Sequence, residues 1–120
     1  MIHFKTGKIL IPVDFSDTSL LAIKHGAFLA KYTKGDLYLL HVINKQYEHY
    51  AVVEQRMHID SPEKYEKGAT NKLNELANQV KSEYGVTVNT IVKIGNATKE
   101  IIATEKEIGA DMVVMGTHGY

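Results

Sequence analysis

The stretch KILIPVDFSDTS, Lys8 to Ser19, sets a carboxylate and a run of hydroxyls directly after aliphatic residues. A carboxylate offers about four acceptor sites. Asp14 can therefore close its own turn and still accept from a ribose hydroxyl or an adenine amino group. Ser16, Asp17, Thr18 and Ser19 read as helix-capping residues rather than nucleophiles, because no G-x-S-x-G elbow surrounds any of them. A second cluster is MGTHGY, Met115 to Tyr120. Gly116 and Gly119 allow tight turning, and the exposed N–H groups of such a turn suit phosphate. His118 between them fits three roles: phosphate donor, base or turn residue. The chain has neither G-x-x-x-x-G-K-[ST] nor G-x-G-x-x-G after its first strand, which disfavours a motor-type ATPase and a dinucleotide oxidoreductase.

The six histidines form no metal pattern. His3, His25, His41, His49, His58 and His118 include no H-E-x-x-H, and there is no cysteine to complete a zinc set. His41 falls inside a strand and is expected to be buried and hydrogen-bonded. The absence of cysteine also excludes disulfides, thiolate nucleophiles and iron–sulfur ligation. Fourteen basic and fourteen acidic residues give a formal net charge of zero. No general attraction to nucleic acid or anionic lipid follows from that balance. Apolar runs are far shorter than the roughly 20 residues that cross a bilayer, and MIHFKTGK is no signal-peptide core. Cytoplasm is the expected location.

The elements that must position these residues follow from periodicity. KILIPVDF is apolar on both sides, as a strand covered on both faces reads. Pro12 is tolerable there if its missing N–H lies where the ladder stops. From Asp17 to Tyr32 the period is helical, with Leu20, Ile23, Ala27 and Ala30 in a stripe widened by Leu21 and Phe28. The KGD turn ends it, and Asp36–Val42 is a second strand. The stretch from Asn44 to Ser61, with Tyr47, His49, Tyr50 and His58, reads as a loop. Pro62 and Glu63 open a helix carrying Tyr65, Ala69, Leu73, Leu76, Val80 and Tyr84, which Gly85 ends. Val86–Ile94 is strand three. A helix with Ile101, Ile102 and Ile108 runs to Gly109, and Asp111–Met115 is strand four. Strands alternating with long helices predict an α/β fold, an open parallel sheet with helices on both faces and one domain over residues 1–120. Ligands of such sheets sit beyond the carboxyl ends of the strands, where Asp14–Ser16, Val42–Asn44, Gly95–Asn96 and Gly116–Gly119 fall.

Four blocks, KILIPVDFSDTSLLAIKHGAFLA, YLLHV, VKIGNATKEII and ADMVVMGTHG, together resemble the universal stress protein family. The resemblance implies a Rossmann-like sheet of order 3-2-1-4-5, with ATP held at the switch between strands one and four. By that likeness Pro12, Val13, Asp14 and Val42 line the adenine and ribose, Met115 and Gly116 follow strand four around the nucleotide, and Gly119 belongs to the phosphate loop. The family motif G-x2-G-x9-G-(S/T) is matched in its first half only, and a fifth strand is missing. The domain is therefore expected to have the order 3-2-1-4 and to be C-terminally incomplete. The function implied is stress-response regulation through binding ATP or AMP, with or without magnesium, and without efficient turnover. A homodimer, or another chain on the strand-four edge, is the expected partner; nucleic acid and membrane are not. Two other readings fit the same residues: a regulatory or dimerisation module that binds no nucleotide, and a slow ATPase using His118.

Overall fold

A computed structural model of the chain describes residues 7–44 and 62–116. Along it follow β1 (Lys8–Pro12), α1 (Asp17–Thr33), β2 (Asp36–Asn44), α2 (Pro62–Tyr84), β3 (Thr87–Gly95), α3 (Ala97–Ile108) and β4 (Met112–Val113). All pairings are parallel and the order is β3-β2-β1-β4, as expected. The loop expected from Asn44 to Ser61 begins one residue too early, since β2 pairs with β3 through Asn44; the rest of it lies outside the described residues.

Alternation along the strands sorts their side chains onto two faces. Ile9, Ile11 and Val13, with Leu37 and Leu39 of β2 and Val88 of β3, share one buried cluster with Ala22, Ile23, Ala27 and Ala30 of α1 and Leu73, Ala77 and Val80 of α2. Leu10 and Leu40 alternate to the other face, where they are also buried. There α3 crosses β2, β1 and β3 and buries Thr104. The Thr104 hydroxyl is satisfied by the Glu100 carbonyl at 2.7 Å. Both faces of the central strands are thereby removed from water, which explains their unbroken aliphatic runs.

Helix α1 lies close to the sheet because its inner stripe is small. A methyl added at Gly26 would collide with Ile11 Cδ1. The expected widening by Leu21 and Phe28 does not occur. They are 55% and 65% exposed, since the inward stripe runs through Ser19, Ala22, Ile23, Gly26, Ala27 and Ala30. At 100° per residue, Leu21 and Phe28, seven positions apart, fall together on the side of the helix opposite that stripe. Ile102 likewise faces out, 48% exposed.

The helix ends follow the local chemistry. Gly85 and Gly109 are left-handed, with φ 67° and 66°. Lys34, rather than Gly35, takes the left-handed position after α1, at φ 58°. A lysine there bears the steric cost of its Cβ against the backbone, about 1–2 kcal/mol, which glycine avoids. Lys34→Gly should therefore stabilise the fold by about 1 kcal/mol, seen as a rise of a few degrees in melting temperature.

Candidate functional site

The site begins with an absent donor. Val13 N–H donates to Leu40 O on β2 at 2.7 Å, and Val114 N–H donates to Leu10 O on β1 at 3.0 Å. Alternate residues of a parallel strand bond to opposite neighbours, so Pro12, in phase with Leu10, faces β4. It has no N–H to return. The β1–β4 ladder accordingly holds only Ile9↔Met112 and Leu10↔Val113. Pro12 thus stands where the ladder stops, and β4 is shorter than the strand expected from Asp111 to Met115.

Beyond this point a crevice of about 180 Å³ opens at the carboxyl end of the sheet. Pro12, Val13, Leu40 and Val42 form its inner wall, and Ala97 and Ile101 of α3 close one side. Met115 and Gly116 come from the segment after β4, and Asp14, Thr18 and Ser19 supply the polar rim. Six residues singled out in the sequence, Pro12, Val13, Asp14, Val42, Met115 and Gly116, therefore meet at one place. Gly119 and His118 lie outside the described residues. Thr18, Ser19, Leu40, Ala97 and Ile101 were not anticipated. Two signals for them existed: Leu40 shares a strand face with Val42, and Ala97 and Ile101 lie one helical turn apart just after the Gly95–Asn96 turn.

Geometry separates the two local roles open to Asp14, capping α1 and closing its own turn. Ser16 is the N-cap of α1, its Oγ accepting from Ser19 N–H at 3.2 Å. Asp14 serves its own turn instead. Its Oδ1 accepts from Ser16 N–H at 2.9 Å and from the Ser16 hydroxyl. With the Ser16 proton committed to Asp14, the Thr18 hydroxyl, 3.0 Å from Ser16 Oγ, acts as the donor in that pair. A chain of hydroxyls thus runs from Thr18 through Ser16 to the carboxylate. Both Ser16 bonds fall on Oδ1, so acceptor capacity remains for a ligand. The Ser16 hydroxyl bond, helped by the Ser16 amide, holds the Asp14 carboxyl below its ordinary 3.8 against a smaller upward push from partial burial. Near neutral pH it is a carboxylate and a weak base, suited to accepting hydrogen bonds.

Two helix N-termini border the crevice, and both bring partial positive charge. That of α1 enters through Thr18 and Ser19. That of α3 is capped by Asn96, whose Oδ1 accepts from Lys99 N–H at 3.0 Å. Among the described residues no group of three or more His, Cys, Asp or Glu side chains is placed to hold a metal ion. His41, expected to be buried, is half-buried, and its Nδ1 lies 2.7 Å from Val13 O. No helix among the described residues is long and apolar enough to cross a membrane.

Gly116 joins the segment after β4 to α1. An added Cβ would stand 2.5 Å from the Thr18 carbonyl carbon and 3.0 Å from Ser19 N, and would collide with Thr18 O. These are backbone atoms that cannot swing aside. Gly116→Ala should therefore cost about 1–3 kcal/mol and push Met115 away from the α1 N-terminus. Thermal melting reads the first effect, and a change in the Thr18 and Ser19 amide resonances reads the second.

Residues 5–120 match the profile of the Universal stress protein family. Universal stress protein MJ0577 of Methanocaldococcus jannaschii is 32% identical over 124 residues, which cover 93% of this chain and 76% of that protein. Universal stress protein Sll1654 of Synechocystis is 36% identical over 122 residues, covering 99% of this chain and 70% of that one. The solved structure of MJ0577 superposes with a TM-score of 0.76 at 29% identity, over 98% of this chain and 78% of that chain. A universal stress protein family protein from Arabidopsis thaliana, solved with AMP bound, superposes at 0.62 and 19% identity over 94% of this chain and 77% of that one.

Proposed function

This chain belongs to the universal stress protein family, and we propose that it is a stress-response regulatory domain that holds an adenine nucleotide in the β1–β4 crevice. The observation that carries this reading is the pairing of an apolar slot with one fixed acceptor. Leu40, Val42, Ile101 and Met115 offer walls for a flat base, and Asp14 offers carboxylate oxygen at the rim. A volume of about 180 Å³ falls below the ~300–1,000 Å³ that encloses drug-sized ligands. It suits the base and sugar, with phosphates left toward the helix N-termini. The AMP carried by the Arabidopsis relative supports the same ligand class.

The chemistry favours binding over turnover. A carboxylate held below its usual range is a poor base for activating water, and the chain has no P-loop lysine to stabilise a transferring phosphoryl group. ATP and AMP share the adenosine moiety that the described crevice suits, so both belong to the proposed ligand class. Asp14→Ala should weaken adenosine and ATP binding by about 1–3 kcal/mol, the value of a hydrogen bond to a charged group. Titration calorimetry on the two proteins tests this, with circular dichroism confirming the fold. Equal affinity in both would leave Asp14 as a turn residue only.

A second reading, an association module, is favoured by the edge of the sheet. Among the described strands β4 pairs with β1 alone, and Met112 within it and Met115 just after it are 38% and 55% exposed. An unpaired parallel edge invites another chain. We propose that a second copy covers it. Light scattering should give twice the monomer mass, and a concentration-independent monomer would remove this reading.

A further inference from the structure

Directly after Asp14, Phe15 holds a left-handed backbone with φ 64°. Bulky residues rarely enter that region, and one that does so must be held there by its surroundings. Burial of the ring is a weak explanation. Phe15 is half-buried at the edge of the core, and a cavity of about 400 Å³ lies beside it, lined in part by Asp14, His41, Tyr65 and Lys72. Directional contacts are stronger candidates. The Phe15 ring lies 4.8 Å from the His41 ring, tilted by 45°. Lys72 Nζ of α2 stands 4.4 Å from the Phe15 centroid, within cation–π range. His41 in turn has Nδ1 2.7 Å from Val13 O. A carbonyl oxygen only accepts, so Nδ1 carries the proton and donates.

The two residues flanking Asp14 are thus braced from the α2 side of the sheet: Val13 through its carbonyl, Phe15 through its ring contacts with His41 and Lys72. Asp14 between them lines the crevice and also borders the cavity on the α2 side. We infer that Phe15, held by its contacts with His41 and Lys72, is a positioning residue that aims the Asp14 carboxylate at the ligand, an inference that rests on the crevice being an adenosine site. The left-handed residue shortens the path from strand to cap, which lets Ser16 reach back to Asp14 Oδ1 while still capping α1. Side chains of α2 that touch no ligand thereby set the direction of the acceptor.

The test compares Phe15→Leu with Phe15→Tyr, neither of which alters charge. Leucine keeps apolar bulk and loses the flat faces; tyrosine keeps them. In ligand-free protein the Asp14 carboxyl titration, followed by carbon-13 NMR, should move up toward the ordinary 3.8 in Phe15→Leu and stay at the wild-type value in Phe15→Tyr. Adenosine affinity by calorimetry should fall about five- to tenfold in Phe15→Leu, the scale for loosening one hydrogen bond, and stay within about twofold in Phe15→Tyr. A folded Phe15→Leu protein with wild-type titration and affinity would overturn the inference. Should wild-type protein bind no adenosine, the nucleotide reading fails, while the carboxyl titration still decides the positioning role. Should Phe15→Leu not fold, Lys72→Met carries the same question through the Ser16 amide shift and through affinity for uncharged adenosine. A moved Ser16 resonance with affinity reduced about threefold or more supports the inference; an unmoved one with unchanged affinity sinks it.

Discussion

The organisation of the crevice depends on one hydrogen bond that cannot form. Pro12 sits on the β4 side of β1 and has no N–H, so pairing with β4 ends after Val113 and the Val114 amide. On the other side, Val13 still donates to Leu40. β1 therefore stays tied to β2 while the chain beyond β4 is released from the ladder. A longer β4 ladder would hold Met115 and Gly116 against the space where the crevice opens. The proline separates two strands that are otherwise locked together at their opposite ends, where Lys8 N–H donates to Asp111 Oδ2 at 2.8 Å and Lys8 Nζ to Ile108 O at 2.9 Å.

The period of two then divides labour among adjacent residues. Val13 is 3% exposed and completes the core under α1 and α2. Asp14 stands at the crevice rim and also borders the cavity on the α2 side, where Phe15 packs. A one-residue slip would exchange these roles and bury a carboxylate, which is costly without a partner. The aliphatic register of β1, set by Ile9 and Ile11 at 0% exposure, thus also fixes where the acceptor emerges. Core packing and site geometry are consequences of the same alternation.

The hydroxyls after Asp14 are more than caps. Ser16 accepts from the Ser19 amide with the same oxygen that donates to Asp14. The helix start and the carboxylate therefore share one group, and the orientation of either constrains the other. Local positive charge from two helix N-termini and a carboxylate kept ionised form a site of mixed polarity. Such a site suits a ligand with donors at its sugar and negative charge further along.

How much of this was legible in the sequence depends on the range of the interaction concerned. Periods of two and 3.6, the serine before α1, the glycines after α2 and α3, and a carboxylate ending an aliphatic strand are signals spanning a few residues. They determined the α/β class, the element order and the suspicion that fell on Asp14, Val42 and Gly116. The strand order needed family resemblance, since periodicity does not choose neighbours. Other features were decided only by tertiary structure. Leu21 and Phe28 look like stripe residues until the sheet shows which side of α1 it covers. Phe15 and Lys34 take left-handed backbones that no propensity favours for either residue. Lys72 joins the brace from another helix, and Ile101 joins the crevice from a third. Gly116 matters because it meets Thr18 and Ser19, almost a hundred positions earlier in the chain. Such contacts form only when the sheet brings distant segments together, and no local pattern of residues encodes which surfaces will then face each other.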